Sequence, residues 1–188
     1  MSKLAVFFPG IGYTMDRPLL HFGRRLATEL GYEIKPLTYG GFPQKVRGDR
    51  SKMEESFRLA LSQAKEMLAD VHFTAYEDVL FIGKSIGTII AAQIAAESAA
   101  RDRNRMILYT PLEDTFSFPL GEAIAFTGSG DPWVGGEASR IPVLCAERGI
   151  PCTVIPGANH SLEADDVSAD IETLRAVMES TRRFITRT

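Results

Sequence analysis

Three residues far apart in the sequence, Ser85, Asp131 and His160, have the side chains that histidine-activated serine chemistry needs. A serine hydroxyl is a poor nucleophile at its own pKa and needs an adjacent base. Histidine is the usual base. It needs a carboxylate to hold its tautomer and to stabilise the imidazolium that forms. Ser85 lies in GKSIG between Gly83 and Gly87, Asp131 in GSGDPWV, and His160 in GANHSLE. GKSIG alone is also what a plain strand-to-helix turn would show, with Ser85 as helix N-cap. The chemistry therefore depends on whether the fold brings the other two residues to the same place.

Short apolar runs alternate with longer amphipathic ones, the pattern of a parallel sheet covered by helices. Strands are expected at residues 4–10, 32–41, 78–83, 105–111, 122–131 and 151–160. The second contains Pro36, which places it toward a sheet edge. The third, DVLFIG, is apolar at successive positions, as a central strand buried on both faces requires. A helix is expected over residues 16–30, capped by Asp16, with Pro18 in its first turn and Gly31 ending it.

Another is expected over residues 52–69, with Met53, Phe57, Leu61, Ala64 and Leu68 on one face. The helix from Ser85 to about residue 100 is apolar nearly all round and so should be buried. Residues 139–148 form a further helix, with Ser139 as cap, Pro142 in the first turn and Gly149 at the end. The last helix turns Ile171, Leu174, Val177, Met178, Thr181, Phe184 and Ile185 toward the core. These elements describe one doubly wound α/β domain over residues 1–188, in which ligands bind at the carboxyl ends of the strands. Ser85, Asp131 and His160 each follow such an end, so a parallel sheet would bring them to one rim.

These motifs resemble those of the α/β-hydrolase superfamily. GKSIG looks like its nucleophile elbow G-x-S-x-G, GSGDPWV like its acid loop and GANHSLE like its histidine loop, in the family's order of Ser, Asp, His. The resemblance runs from the first strand to the last helix. GSGDPWV and GANHSLE look closest to the small dienelactone-hydrolase-like members, which commonly carry Cys where this chain has Ser85. The resemblance implies a three-layer α/β/α fold with a mostly parallel sheet of about six strands, a minimal core without a cap. It implies Ser85 as nucleophile, His160 as base and Asp131 as the acid that orients it. Asp114, after the preceding strand, is the rival acid but lacks the strand–loop–Pro context.

Negative charge on a substrate carbonyl oxygen needs two backbone N–H groups. The resemblance places one at Ile86 and the other in the loop PGIGY, at Ile11 with Gly12 as substitute. It requires no cofactor. The bridge over residues 112–121 is too short for a helical lid, so the rim should admit small or accessible acyl substrates, with Phe116, Phe118 and Leu120 as an apolar wall. Gly12, Tyr13, Lys84 and Trp133 are the candidate substrate-binding residues. Lys84 beside the nucleophile and Arg17 after the oxyanion loop could each attract an acidic substrate group or simply face solvent. Trp133 could wall the pocket or hold the acid loop.

The remaining chemistry-bearing residues have plainer explanations. His21 falls within a helix and His72 in a loop before a strand. Asp165, Asp166 and Asp170 suit the start of a helix electrostatically, so no metal site is expected. Gly10 and Gly12 begin a G-x-G, but Met15 occupies the third glycine position of a dinucleotide fingerprint. Cys145 and Cys152 read as core residues and, being only two, as reduced ones, which favours a cytoplasmic setting. A net charge of -3 and a pI near 5.7 give no reason to expect nucleic acid or an anionic membrane as partner. No apolar run approaches the roughly 18 residues of a membrane span, and the N-terminus does not read as a signal peptide. The expected partner is a small acyl substrate. Ester, thioester, amide and lactone hydrolysis and acyl transfer share this machinery, and a non-catalytic binding or scaffold protein of the same fold is the competing class. Oligomeric state is not encoded in any of these patterns.

Overall fold

Strand β1 (Lys3–Phe8) is the first of six, and the others are β2 (Glu33–Pro36), β3 (Asp78–Lys84), β4 (Asn104–Tyr109), β5 (Glu122–Gly128) and β6 (Cys152–Ile155) in a computed structural model that describes residues 2–98 and 104–187. They form one sheet in the order β2-β1-β3-β4-β5-β6, and every pairing is parallel. The register sets Phe8 beside Gly83 and Lys84 beside Tyr109, so the carboxyl ends of the central strands lie level.

β3 is buried from Val79 to Lys84, as its unbroken apolar run requires of a strand covered on both faces. β2, with Pro36 at its end, is an edge strand and is only four residues long. The expected strand continued to residue 41. Pro36 is tolerated there because its missing N–H falls on the open edge; the Leu37 N–H still donates to the Phe7 carbonyl at 3.0 Å, and the paired register ends at that point.

The helices are α1 (Pro18–Glu29), α2 (Arg50–Met67), α3 (Ile86–Glu97), α4 (Ile141–Ala146) and α5 (Val167–Thr186). One core joins α2, α3 and α4 to the sheet face carrying Leu4, Val6, Val79 and Phe81. A second core joins α1 and α5 to the face carrying Ala5, Phe7, Leu80 and Ile82. The result is three layers, α/β/α. No helix among the described residues is long and apolar enough to cross a membrane.

Several helix details differ from expectation. The N-cap of α1 is Arg17, not Asp16, because Pro18 occupies the first helical position. The residues of α2 that bury completely are Ser56, Ala60 and Ala64, while Met53, Phe57 and Leu61 pack beside them half-buried. Small residues let α2 approach the core closely. Ile141 N–H does reach the Ser139 hydroxyl at 3.3 Å, although the helix itself begins at Ile141. Ile171 is 61% exposed and takes no part in the core. Residues 99 and 100 of the expected α3 lie outside the described residues.

Candidate active site

Ser85 follows β3 directly and precedes the first residue of α3, with φ 56° and ψ −127°. A serine at positive φ is strained, and a surrounding structure that fixes both flanks must hold it there. Backbone contacts show what fixes them. A Cβ on Gly87 would lie 2.0 Å from the Phe8 carbonyl oxygen and 2.6 Å from that of Pro9, and one on Gly83 would lie 2.8 Å from Thr88 Cα. Glycine at both positions lets α3 start hard against the ends of β1 and β3. The Ser85 carbonyl accepts both the N–H and the hydroxyl of Thr88, at 2.8 and 2.7 Å.

The loops after β5 and β6 interlock in the same way. A Cβ on Gly128 would lie 2.0 Å from the Ala158 carbonyl oxygen. Ser129 N–H donates to the Ile155 carbonyl at 2.9 Å and Gly130 N–H to that of Ala158 at 3.0 Å. The Ser129 hydroxyl accepts the Gly157 N–H at 2.8 Å. Asn159 shapes the turn that follows: its side-chain oxygen accepts the N–H of Ser161 at 2.7 Å, and its own N–H donates to the Glu163 carbonyl at 2.8 Å.

This packing brings three side chains into one chain of hydrogen bonds. Ser85 Oγ lies 2.7 Å from His160 Nε2, and His160 Nδ1 lies 2.6 Å from Asp131 Oδ2. Because an ionised carboxylate only accepts, the Nδ1–H donates to Asp131, which leaves Nε2 to accept the serine proton. Asp131 is wholly buried and its other oxygen accepts the Trp133 N–H at 2.9 Å. Burial lowers the His160 pKa below its ordinary value, the nearby Lys84 charge adds to that, and the Asp131 hydrogen bond and charge oppose it. The balance favours the neutral imidazole, the form that can accept a proton. Asp114, the rival acid, stands exposed on a short 3₁₀ turn (Glu113–Ser117).

Of the expected oxyanion donors, Ile86 opens α3 next to Ser85. Ile11 lies in a tight turn in which Gly10 and Tyr13 exchange backbone hydrogen bonds of 3.2 and 3.4 Å, with Gly12 at φ 70°. Among the described residues, no protein acceptor takes the N–H of either isoleucine. Trp133 stacks on the His160 ring. Gly12 and Arg17 are exposed.

Lys84 and Tyr13, two of the candidate substrate-binding residues, are buried, at 1% and 7% exposure, so Lys84 does not face solvent. Residues alternate along a strand, so Lys84 shares the face of Leu80 and Ile82 and points under the rim. The Tyr13 hydroxyl is occupied by the Leu19 N–H at 3.1 Å.

A cleft of about 750 Å³ opens beside the elbow, reaching Ile86 and Ile89 of α3, Met53 and Phe57 of α2, and Phe118 of the bridge. Phe116 is not part of this wall. It is 3% exposed, in the core, and its carbonyl accepts a bond from Arg148.

Three supporting residues had no part in the sequence reading. Thr88 holds the elbow carbonyl, Thr115 pairs with the Thr88 hydroxyl at 2.6 Å, and Asn159 shapes the histidine turn. The available signals were a Thr three residues into a helix after Ser85, and an Asn directly before His160. Asp166 and Asp170 use their carboxylates on backbone N–H groups, of Ala169 at 2.8 Å and Ala164 at 2.6 Å.

No sequence-family model and no curated protein matches the chain. Solved structures do. An α/β serine hydrolase without lid from Xanthomonas campestris superimposes with a TM-score of 0.63 at 13% identity, over 98% of this chain and 81% of that one. An esterase from Pyrococcus furiosus gives 0.67 at 13%, over 99% and 83%. Est1E from Butyrivibrio proteoclasticus, solved with ferulic acid bound, gives 0.67 at 14%, over 98% and 88%. At these identities the likeness carries the fold, which is that of a lidless α/β hydrolase.

Proposed function

We propose, taking that α/β-hydrolase fold as the premise, that the protein is a serine hydrolase that cleaves an accessible ester or related acyl bond. The observation that carries the reading is the continuous Ser85–His160–Asp131 chain at 2.7 and 2.6 Å on a strained elbow. The neighbouring hydrolases and esterases of the same fold support it.

The reaction follows from the side chains. His160 Nε2 takes the Ser85 proton as Oγ attacks the substrate carbonyl carbon, and Asp131 stabilises the imidazolium. The carbonyl oxygen becomes an oxyanion held by the N–H groups of Ile86 and Ile11, with Ile86 aided by the positive end of α3. The carbonyl re-forms, the alcohol leaves with the proton from His160, and the acyl group stays on Ser85. Water then gives a proton to His160 as it attacks the acyl carbon, and the Ser85 Oγ–acyl bond breaks with Oγ taking that proton back from His160, which releases the acid and restores the resting serine. The cleft between α2 and α3 is the space for the acyl or alcohol arm, and its open side suits small or accessible substrates over long chains.

A fluorophosphonate probe tests the assignment. It should label the wild-type protein and not Ser85→Ala. Labelling that survives the substitution removes Ser85 as nucleophile, and a wild type that is never labelled favours the scaffold class.

A further inference from the structure

Lys84 precedes the proposed nucleophile by one residue, yet its side chain is withdrawn from the cleft. Its Nζ sits 4.8 Å from the centroid of the Tyr13 ring, within reach of an attractive cation–π contact. Tyr13 closes the turn between β1 and α1 and is tied to α1 through Leu19. The same turn abuts the elbow: a Cβ on Gly10 would lie 3.2 Å from both the Lys84 carbonyl oxygen and Ser85 Cβ. Ile11 lies inside this turn.

An ammonium is a costly way to fill such a space. Burying one without a directly bonded anion is unfavourable, and an apolar side chain of similar length would fill the site more stably. What the ammonium supplies, and methionine would not, is attraction to the face of a desolvated ring.

We propose that Lys84 is a positioning residue for the oxyanion loop: its ammonium, seated against the Tyr13 ring, ties the Gly10–Tyr13 turn to the nucleophile strand and holds the Ile11 N–H at a fixed separation from that of Ile86. This rests on the serine-hydrolase reading above. The titratable groups around Lys84 are Tyr13 in the loop after β1, Tyr109 beside it on β4, Asp131 in the loop after β5, and His160 and Glu163 after β6. Burial lowers the Lys84 pKa to about 7, against the pull of Asp131 and Glu163. The tie is therefore strongest below neutrality and is lost as the amine deprotonates.

The test is Lys84→Met, followed by p-nitrophenyl acetate turnover and a thermal melt. Loosening a donor should cost about 10- to 100-fold in kcat, less than deleting it, with KM changed by no more than about twofold. The melting temperature should hold or rise, since a buried charge is gone. The wild-type fall in kcat above about pH 7 should be absent from the variant. Tyr13→Leu should lose as much, and the double variant no more than either.

Full kcat in Lys84→Met overturns the proposal. So does a variant that melts lower or fails to fold, because the side chain then supports the core. Fluorophosphonate labelling of the wild type separates the two levels. An unlabelled, inactive wild type sinks the hydrolase reading and this proposal with it, whereas a labelled, active wild type beside an unimpaired Lys84→Met sinks the role of Lys84 alone.

Discussion

The indole of Trp133 lies stacked on the imidazole of His160, with ring centroids 5.3 Å apart and planes 25° from parallel. Its backbone N–H donates to Asp131 Oδ1 at 2.9 Å. One residue therefore steadies both members of the His160–Asp131 pair. The indole sets the plane of the ring, and the N–H occupies the carboxylate oxygen that His160 does not use. The same cover keeps water from the imidazole and so contributes to the burial that depresses its pKa.

Removing the plate should loosen the base without removing it. Trp133→Ala should lower kcat on p-nitrophenyl acetate by about tenfold, the scale on which a misplaced catalytic group is felt. Trp133→Phe, which keeps a ring, should retain most of the activity. Equal rates for wild type and Trp133→Ala would mean the imidazole is held by Asp131 alone.

The acid limb of the pH profile should lie low. In the proposed mechanism the neutral imidazole of His160 is the active form, and burial holds its pKa below the ordinary value. The acid-side fall of kcat/KM should thus lie below the range of an ordinary imidazole, separate from the alkaline fall above about pH 7 that Lys84 sets, as a profile read from about pH 5 to about pH 8 will show. Lys84 is one of the causes of the depression. Replacing it with Met should therefore move the limb upward, and a limb that stays put would disconnect the two groups.

How legible this site was depends on the kind of interaction. The elbow, the acid loop and the histidine turn are local, each carried by glycines and one reactive side chain, so GKSIG, GSGDPWV and GANHSLE could be read directly. The unbroken apolar run of β3 likewise declared a central strand. What escaped was set by contacts between elements. The stripe from Met53 to Leu68 is apolar, yet close packing chose Ser56, Ala60 and Ala64 for full burial. Ile171 continues a helical stripe that nothing covers. The charge of Lys84 points to the rim or to solvent. Its parity with Leu80 and Ile82 was the better guide, because alternation along β3 overrides the preference of an ammonium for water.

Gly87 offers a sharp test of the elbow packing. In an ordinary helix, glycine to alanine gains about 1 kcal/mol. Here the added Cβ would sit 2.0 Å from the Phe8 carbonyl oxygen and 2.6 Å from that of Pro9, and both are backbone at the end of β1, which cannot swing aside as a flexible side chain could. Gly87→Ala should therefore lose about 3 kcal/mol or more, in the range reserved for severe core clashes. A urea melt will show it, and a neutral or stabilising result would mean that α3 does not start against β1.

Thr88 should matter through a bond that no sequence motif announces. Its hydroxyl donates to the Ser85 carbonyl at 2.7 Å and pairs with Thr115 Oγ1 at 2.6 Å. With the Thr88 proton committed to Ser85, Thr115 is the donor between the two hydroxyls. Valine has the same shape, so Thr88→Val opens no cavity, but it strands a buried Thr115 hydroxyl and takes one of two donors from the elbow carbonyl. Leaving such a group unsatisfied costs about 1–3 kcal/mol, and the urea midpoint should fall accordingly. Thr88→Ser restores the hydroxyl and should recover most of the loss. Because the carbonyl belongs to Ser85, the strained and proposed nucleophile, Thr88→Val should also slow fluorophosphonate labelling, whereas a variant less stable but labelled at the wild-type rate would confine Thr88 to holding the bridge against α3.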